Sequence, residues 1–360
     1  MSAVPTPGKL ISTILNGSWR DLPDQEIDLS LTELDQVTPL LYNSGAAALA
    51  WRRLRHTALR DSSSTELLHQ AYRYQALFAA TYERKLQKTF RFLRQAGVEP
   101  ILIKGWAVSR LYPQPGLRPS GDIDLFVQPD DYSTVLKVMK SEEVRDCWID
   151  LHARIFELAD RAGKELFARS ELHKCGDESV RILCLEDHFA LLAVHLLKHG
   201  AWRPLWLCDL GLLLESMPET FDWDLCLGKN KRRRNWILVA VSLAHSLLGA
   251  RILDKRILAE AERMPSWVSG RVLKEWQTPF AINQPPMNHR APMRSYLQRP
   301  SGLLGDLVRR WPNPILATVS TNGQFNRLPR ITYQIGDVAA RTVKFFWGLP
   351  KELTIIQQGD

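Results

Sequence analysis

Two aspartates separated by one residue, Asp122 and Asp124, stand in the run Gly121-Asp122-Ile123-Asp124-Leu125-Phe126-Val127. In an extended strand residues i and i+2 face the same way. The alternation therefore puts both carboxylates on one side with Phe126, and Ile123, Leu125 and Val127 on the other. Two hard oxygen donors so placed suit a divalent cation such as Mg2+ or Mn2+. A third carboxylate, Asp150, lies in Cys147-Trp148-Ile149-Asp150-Leu151-His152, where the same alternation pairs Asp150 with His152. Three acidic groups gathered at one point repel one another unless a cation neutralises them, so convergence of Asp122, Asp124 and Asp150 implies a metal.

Upstream, Lys104-Gly105 falls where the apolar run Ile101 to Ile103 gives way to a helical pattern. Glycine lets the backbone approach an anion, the first amides of a helix point at it, and Lys104 adds a point charge. Arg118 and Ser120, just ahead of the aspartate pair, offer guanidinium and hydroxyl donors to phosphate oxygens. Asp-x-Asp alone also describes a solvated strand face. The glycine bend and the Arg118-Pro119-Ser120-Gly121 lead-in turn the balance toward a nucleotide–metal site.

Such residues need a sheet to hold them. Within 98–185 the pattern predicts a strand at Ile101–Ile103, a helix stopped by Pro113 and Pro115, a strand at 121–127, a helix after Pro129-Asp130-Asp131, a strand around Ile149–His152 and a short strand in 179–185. On the N-terminal side, 1–97 reads as helical. Ser62 to Thr65 offer caps for a long helix whose apolar stripe runs from Leu67 to Leu93, with Gly97 as the left-handed residue that ends it. Residues 186–280 carry three segments with broad apolar faces. In 281–360 the pattern weakens and prolines recur, which predicts short helices on long links. The fold class expected is α+β, a small mixed sheet flanked by N-terminal and C-terminal helical regions.

Composition narrows the partners. The chain has 360 residues, 45% hydrophobic and 24% charged, which excludes a disordered or collagen-like chain. Its net charge of +8 favours anionic partners without choosing among them. Five cysteines without a C-x-x-C pair argue against a disulfide framework and a cysteine-bound zinc. The N-terminus lacks a signal-peptide pattern, and the uncharged stretch Trp236–Ala250 is too short to cross a bilayer. A soluble, cytoplasmic protein with no membrane partner is expected. No dinucleotide fingerprint, P-loop or nucleophile elbow occurs. His195 and His199 share a helix face four residues apart, but the glutamate of H-E-x-x-H is absent, so a core or substrate-facing pair is preferred to zinc. The basic run Lys229-Asn230-Lys231-Arg232-Arg233-Arg234 reads as a solvated helix start, or else as a contact to an RNA backbone.

Four segments carry a resemblance: Leu102-Ile103-Lys104-Gly105, Arg118-Pro119-Ser120-Gly121-Asp122-Ile123-Asp124, Ile149-Asp150-Leu151-His152, and the stretch 195–214. Over roughly residues 70–250 the sequence resembles the nucleotidyltransferase superfamily with a DNA polymerase β-like palm, and within it the bacterial uncharacterised nucleotidyltransferase family. One difference is that Trp106 follows Gly105 where the superfamily has a second small residue.

The resemblance implies a palm core at 98–185. It makes Asp122 and Asp124 metal ligands, Asp150 the third carboxylate and base, and Lys104-Gly105 the turn that holds phosphate. His152, His195, His199, Trp202 and Asp209 become candidate substrate contacts. The implied reaction moves a nucleoside monophosphate from an NTP, such as ATP, to a hydroxyl or phosphate acceptor on a small molecule or peptide, with release of pyrophosphate. Two alternatives stand beside it: modification of an RNA or tRNA end, and a non-catalytic scaffold that binds a nucleotide or a protein.

Overall fold

A computed structural model of the chain describes residues 5–21, 27–279 and 311–356. Helices α1 (Pro7–Leu15), α2 (Leu31–Asn43) and α3 (Ala47–Leu54) precede the long α4 (Ser63–Gln95). Local chemistry sets the ends of α4. The Ser62 hydroxyl accepts the amide of Thr65 at 3.1 Å, and the chain leaves the helix through Gly97 at φ +79°. The stripe foreseen on this helix is buried at Leu68, Tyr82, Leu86, Phe90 and Leu93.

The sheet follows as β1 (Ile101–Leu102), α5 (Trp106–Ser109), β2 (Ile123–Phe126), α6 (Tyr132–Met139), β3 (Ile149–His152), α7 (Gly163–Arg169), β4 (Glu171–Cys175) and β5 (Glu178–Ile182). The strand order is β3-β2-β1-β5-β4. β2 pairs parallel with β3 and β1 parallel with β5, while β1–β2 and β4–β5 are antiparallel. The result is the mixed sheet of an α+β fold. Helix α7 and strand β4 were not foreseen. β4 is an edge strand, exposed along most of its length, and so lacks the continuous burial that marks β2.

Helices α8 (Leu185–Lys198), α9 (Pro204–Ser216), α10 (Trp223–Leu227), α11 (Lys231–Leu248), α12 (Lys255–Glu262) and α13 (Trp267–Trp276) come next, then α14 (Pro314–Ser320) and α15 (Ile331–Ile356). The expectation of short C-terminal helices needs correcting, because α15 runs for 26 residues. Proline in a helix's first turn starts the helix: Pro314 opens α14 behind the Asn313 cap. The breaks expected at Pro285-Pro286 and Pro300 lie outside the described residues. No helix among the described residues is long and apolar enough to cross a membrane.

Two apolar clusters clasp the sheet. Leu102, Ile123, Leu125 and Val127 pack with Leu86, Phe90 and Leu93 of α4. Ile101, Ile103 and Phe126 join the larger cluster built from α1–α3, α8, α9 and α11. The strand face that carries Asp124 therefore looks toward the helices that follow the sheet. The basic run is drawn partly inward. Asn230 caps α11, Arg233 donates to the carbonyls of Phe156 and Glu157, and Arg234 pairs with Glu260 at 2.7 Å.

Glu215 ties the N-terminal segment to the helical body. It accepts hydrogen bonds from Trp19 Nε1 at 3.2 Å, Arg20 Nε at 2.7 Å and the Arg251 amide at 2.8 Å. Burial pushes its pKa up, but the bonds from Arg20, Arg251 and Trp19 outweigh that and bring it down from 4.5 to about 2. A carboxylate depressed in the folded state adds stability that is complete above the unfolded value and is lost as it protonates. The melting temperature is expected to fall between pH 4.5 and about 2 with a slope that Glu215→Gln flattens. Parallel slopes for the two proteins, followed by circular dichroism, would contradict this role.

Candidate active site

The parallel register of β2 and β3 sets Asp124 opposite Asp150 and Phe126 opposite His152. Backbone bonds fix this pairing at both ends, from the Ile123 amide to Trp148 O and from the Val127 amide to His152 O at 3.1 Å. The ligand atoms of Asp124, Asp150 and His152 lie within 4.8 Å of one another. His152 Nε2 is 3.4 Å from Asp124 Oδ1 and 3.2 Å from Asp150 Oδ2. Lys104 Nζ stands 2.6 Å from the same Asp124 oxygen. Two carboxylates and an imidazole nitrogen form a donor set that fits a divalent cation.

The depths of these groups differ. Asp124 is 6% exposed at its side chain, whereas Asp150 is 52% exposed. Burial would raise the pKa of Asp124, but the His152 hydrogen bond and the Lys104 charge hold it below its ordinary value. His152 is raised by its bond to Asp124, against burial, with the charge of Asp150 assisting. Asp122 stands exposed beside the cluster and is raised by partial burial and by the charge of Asp124. Among the described residues, the group that converges is thus Asp124, Asp150 and His152, with Asp122 alongside.

Gly105 makes the bend at φ +63° and ψ −114°, a region closed to residues with a side chain. A β-carbon there would come within 2.8 Å of the Tyr82 hydroxyl, which itself donates to Asp122 O at 3.1 Å. Helix α4 thus buttresses the bend and the aspartate strand with one phenol. Trp106 turns toward α4, where its indole joins the cluster of Tyr82, Leu86 and Phe90 and donates to Glu83 Oε1 at 3.0 Å. Trp106 also lines a groove of about 230 Å³ with Tyr82, Glu83, Arg118 and Ser120. The indole belongs to the core that packs the sheet face opposite to Asp124.

Arg118 and Asp209 were expected at the phosphate and at the acceptor. The structure joins them to each other. Arg118 Nη2 lies 3.1 Å from Asp209 Oδ2, and the guanidinium also donates to Pro119 O at 3.0 Å. Asp209 is fully buried and takes a further bond from the Tyr112 hydroxyl at 2.9 Å. A buried carboxylate has no surface to offer an acceptor and demands a buried cation, which Arg118 supplies. In this structure each is the other's charge partner.

His195 and His199 form an aromatic layer with Trp206, their centroids 4.7 and 5.3 Å from its ring, and Trp202 lies 5.5 Å from Trp206. His195 Nδ1 is 3.5 Å from Glu157 Oε1. Burial lowers the pKa of His195 and takes that of His199 down to about 3, so His199 is neutral at neutral pH. The charges of Lys104 and Asp124 both act on His195, so the layer lies within electrostatic reach of the cluster.

Tyr82, Glu83, Arg203 and Glu157 were not singled out from the sequence. Tyr82 sat on the apolar stripe of α4 and reads there as core. Arg203, whose pKa burial lowers to about 10, stacks over Trp206 and donates to Ser44 O at 2.7 Å. Nothing in its local sequence marks it.

No curated protein and no solved structure matches the chain. One family model, described as "Uncharacterised nucleotidyltransferase", matches residues 30–146 and 140–249. The matched span holds the glycine bend, the paired strands with their acids, and the histidine–tryptophan layer, and it covers more than half of the sequence. The chain belongs to the uncharacterised nucleotidyltransferase family.

Proposed function

We propose that the protein is a divalent-metal-dependent nucleotidyltransferase that moves a nucleoside monophosphate from an NTP to a hydroxyl or phosphate of a small-molecule or peptide acceptor. The bond between the α- and β-phosphates breaks, a bond from the acceptor oxygen to the α-phosphorus forms, and pyrophosphate leaves. The observation that carries this reading is the convergence of Asp124, Asp150 and His152 beside the Gly105 bend. Asp124, Asp150 and His152, with Asp122 alongside, would hold Mg2+ or Mn2+. Such an ion supplies charge neutralisation at the triphosphate and acidifies the attacking hydroxyl.

The chain's own residues do the rest. Lys104 and the Gly105 backbone receive the β- and γ-phosphates. Asp150, the exposed member of the cluster, accepts the acceptor proton. The neutral His199, with His195 and Trp206, walls the site without adding charge that would compete for phosphate. We place the reaction in the cytoplasm, where nucleoside triphosphates are made. A small acceptor is favoured over RNA because Arg233 and Arg234 are engaged inside the fold, which leaves only Lys229, Lys231 and Arg232 of the basic run exposed.

Incubation with α-labelled NTPs, Mg2+ and the small-molecule and peptide fractions of a cell extract tests the reading. Label is expected to pass to an extract component with one pyrophosphate released per transfer, and chelation by EDTA is expected to stop both. Metal-independent NTP binding with no pyrophosphate would support the scaffold instead, and label appearing only in an RNA fraction would support the RNA acceptor.

A further inference from the structure

The Lys104 ammonium lies against one carboxylate oxygen that also belongs to the converging group. Its Nζ is 2.6 Å from Asp124 Oδ1, with His152 Nε2 3.4 Å from that oxygen on another side. With its side chain 6% exposed, Asp124 has little water to solvate its charge, so the lysine supplies the compensation. The root of Lys104 is fixed. Its neighbour Ile103 donates to Asp124 O at 3.1 Å, and its own carbonyl accepts from Ala107 at 3.4 Å. Its stem is not fixed in the same way, since four rotatable carbons separate that root from the ammonium. Lys104 is also the residue immediately before the Gly105 bend, so its ammonium can reach a phosphate held there without moving the backbone.

We propose that Lys104 is the resident counter-cation of the site: its ammonium competes with the divalent ion for Asp124 and departs to the triphosphate when a nucleotide arrives. This rests on the reading of Asp124, Asp150 and His152 as the divalent-ion site. Lys104 then couples the two ligands. Without nucleotide it keeps the acids balanced and metal affinity low; with nucleotide it transfers to phosphate oxygens and leaves Asp124 open.

The consequence is a pair of effects with opposite signs. Lys104→Met keeps the length of the stem and removes the charge, so Mn2+ alone is expected to bind about tenfold tighter than to the wild type. Mn2+-ATP is expected to bind more weakly, because the phosphate partner is gone. Electron paramagnetic resonance of free Mn2+ measures the first, and calorimetry with Mn2+-ATP the second. Asp124→Asn is the reference that abolishes the specific Mn2+ site, and Lys104→Gln must shift in the same direction as Lys104→Met. Both lysine variants are first checked for a wild-type melting curve; a merely structural role for Lys104 would weaken both ligands together. Unchanged or weaker Mn2+ binding in the lysine variants, still abolished by Asp124→Asn, overturns the counter-cation role and leaves the metal site standing. Mn2+ binding that is indifferent to Asp124 in every protein overturns the metal site and the counter-cation role with it.

Discussion

Asp124→Asn is expected to lower nucleotidyl transfer by about a thousandfold or more, since it removes an anionic ligand at the point where phosphoryl charge must be met. Three observations single out this aspartate. Its oxygen is shared by Lys104 and His152, it is the most deeply buried of the three acids, and its pKa is held low by those partners. The fold should survive, because asparagine has nearly the same volume and β2 is anchored by its register with β3. Asp150→Asn should lose less, about a hundredfold, as expected for removing a general base that is half in solvent. Pyrophosphate release at saturating Mg2+-NTP measures both. Substantial turnover by Asp124→Asn would remove the proposed mechanism.

The second large effect is on stability. Arg118→Met leaves Asp209 charged in a fully buried place, with only the Tyr112 hydroxyl and a distant Arg203 to compensate. Breaking one side of a buried pair costs about 3–5 kcal/mol, whereas replacing both sides with apolar residues is often near neutral. Arg118→Met alone is therefore expected to shift the chemical denaturation midpoint strongly downward, and Arg118→Met with Asp209→Leu to recover most of the loss. A phosphate-binding Arg118 makes the opposite prediction: unchanged stability and a raised KM for NTP. The pair matters to the site because Arg118 lies two residues before Ser120 and four before Asp122, so its anchorage sets where the aspartate strand begins.

What the sequence could show and what it could not follow from how far apart the interacting residues lie. Asp124 on its strand and the glycine bend were legible because strand alternation and a strand-to-helix turn are local patterns, whereas Asp122, expected on the same strand face, stands just ahead of β2 and outside the group of Asp124, Asp150 and His152. The pairing of Asp150 with His152 on one face was legible for the same reason, but the parallel register that brings them to Asp124 is a tertiary fact. That Arg118 and Asp209 pair with each other was not legible, because charge in a sequence does not announce its partner 91 residues away. Lys104 was visible as a cation at the bend, while its contact with Asp124 requires the fold. Edge strand β4 escaped because an exposed strand carries no buried alternation, and α14 because Pro314 was read as a stop where it opens a helix.

The most direct test is a crystal of the protein grown with Mn2+ and a non-hydrolysable NTP analogue, with anomalous scattering recorded for manganese. An anomalous peak is expected at about 2.2 Å from carboxylate oxygens of Asp124 and Asp150, with the Lys104 ammonium moved from Asp124 to a phosphate oxygen. Nucleotide bound with no manganese at Asp124 would overturn the metal site, and nucleotide bound with Lys104 still paired to Asp124 would overturn the counter-cation role.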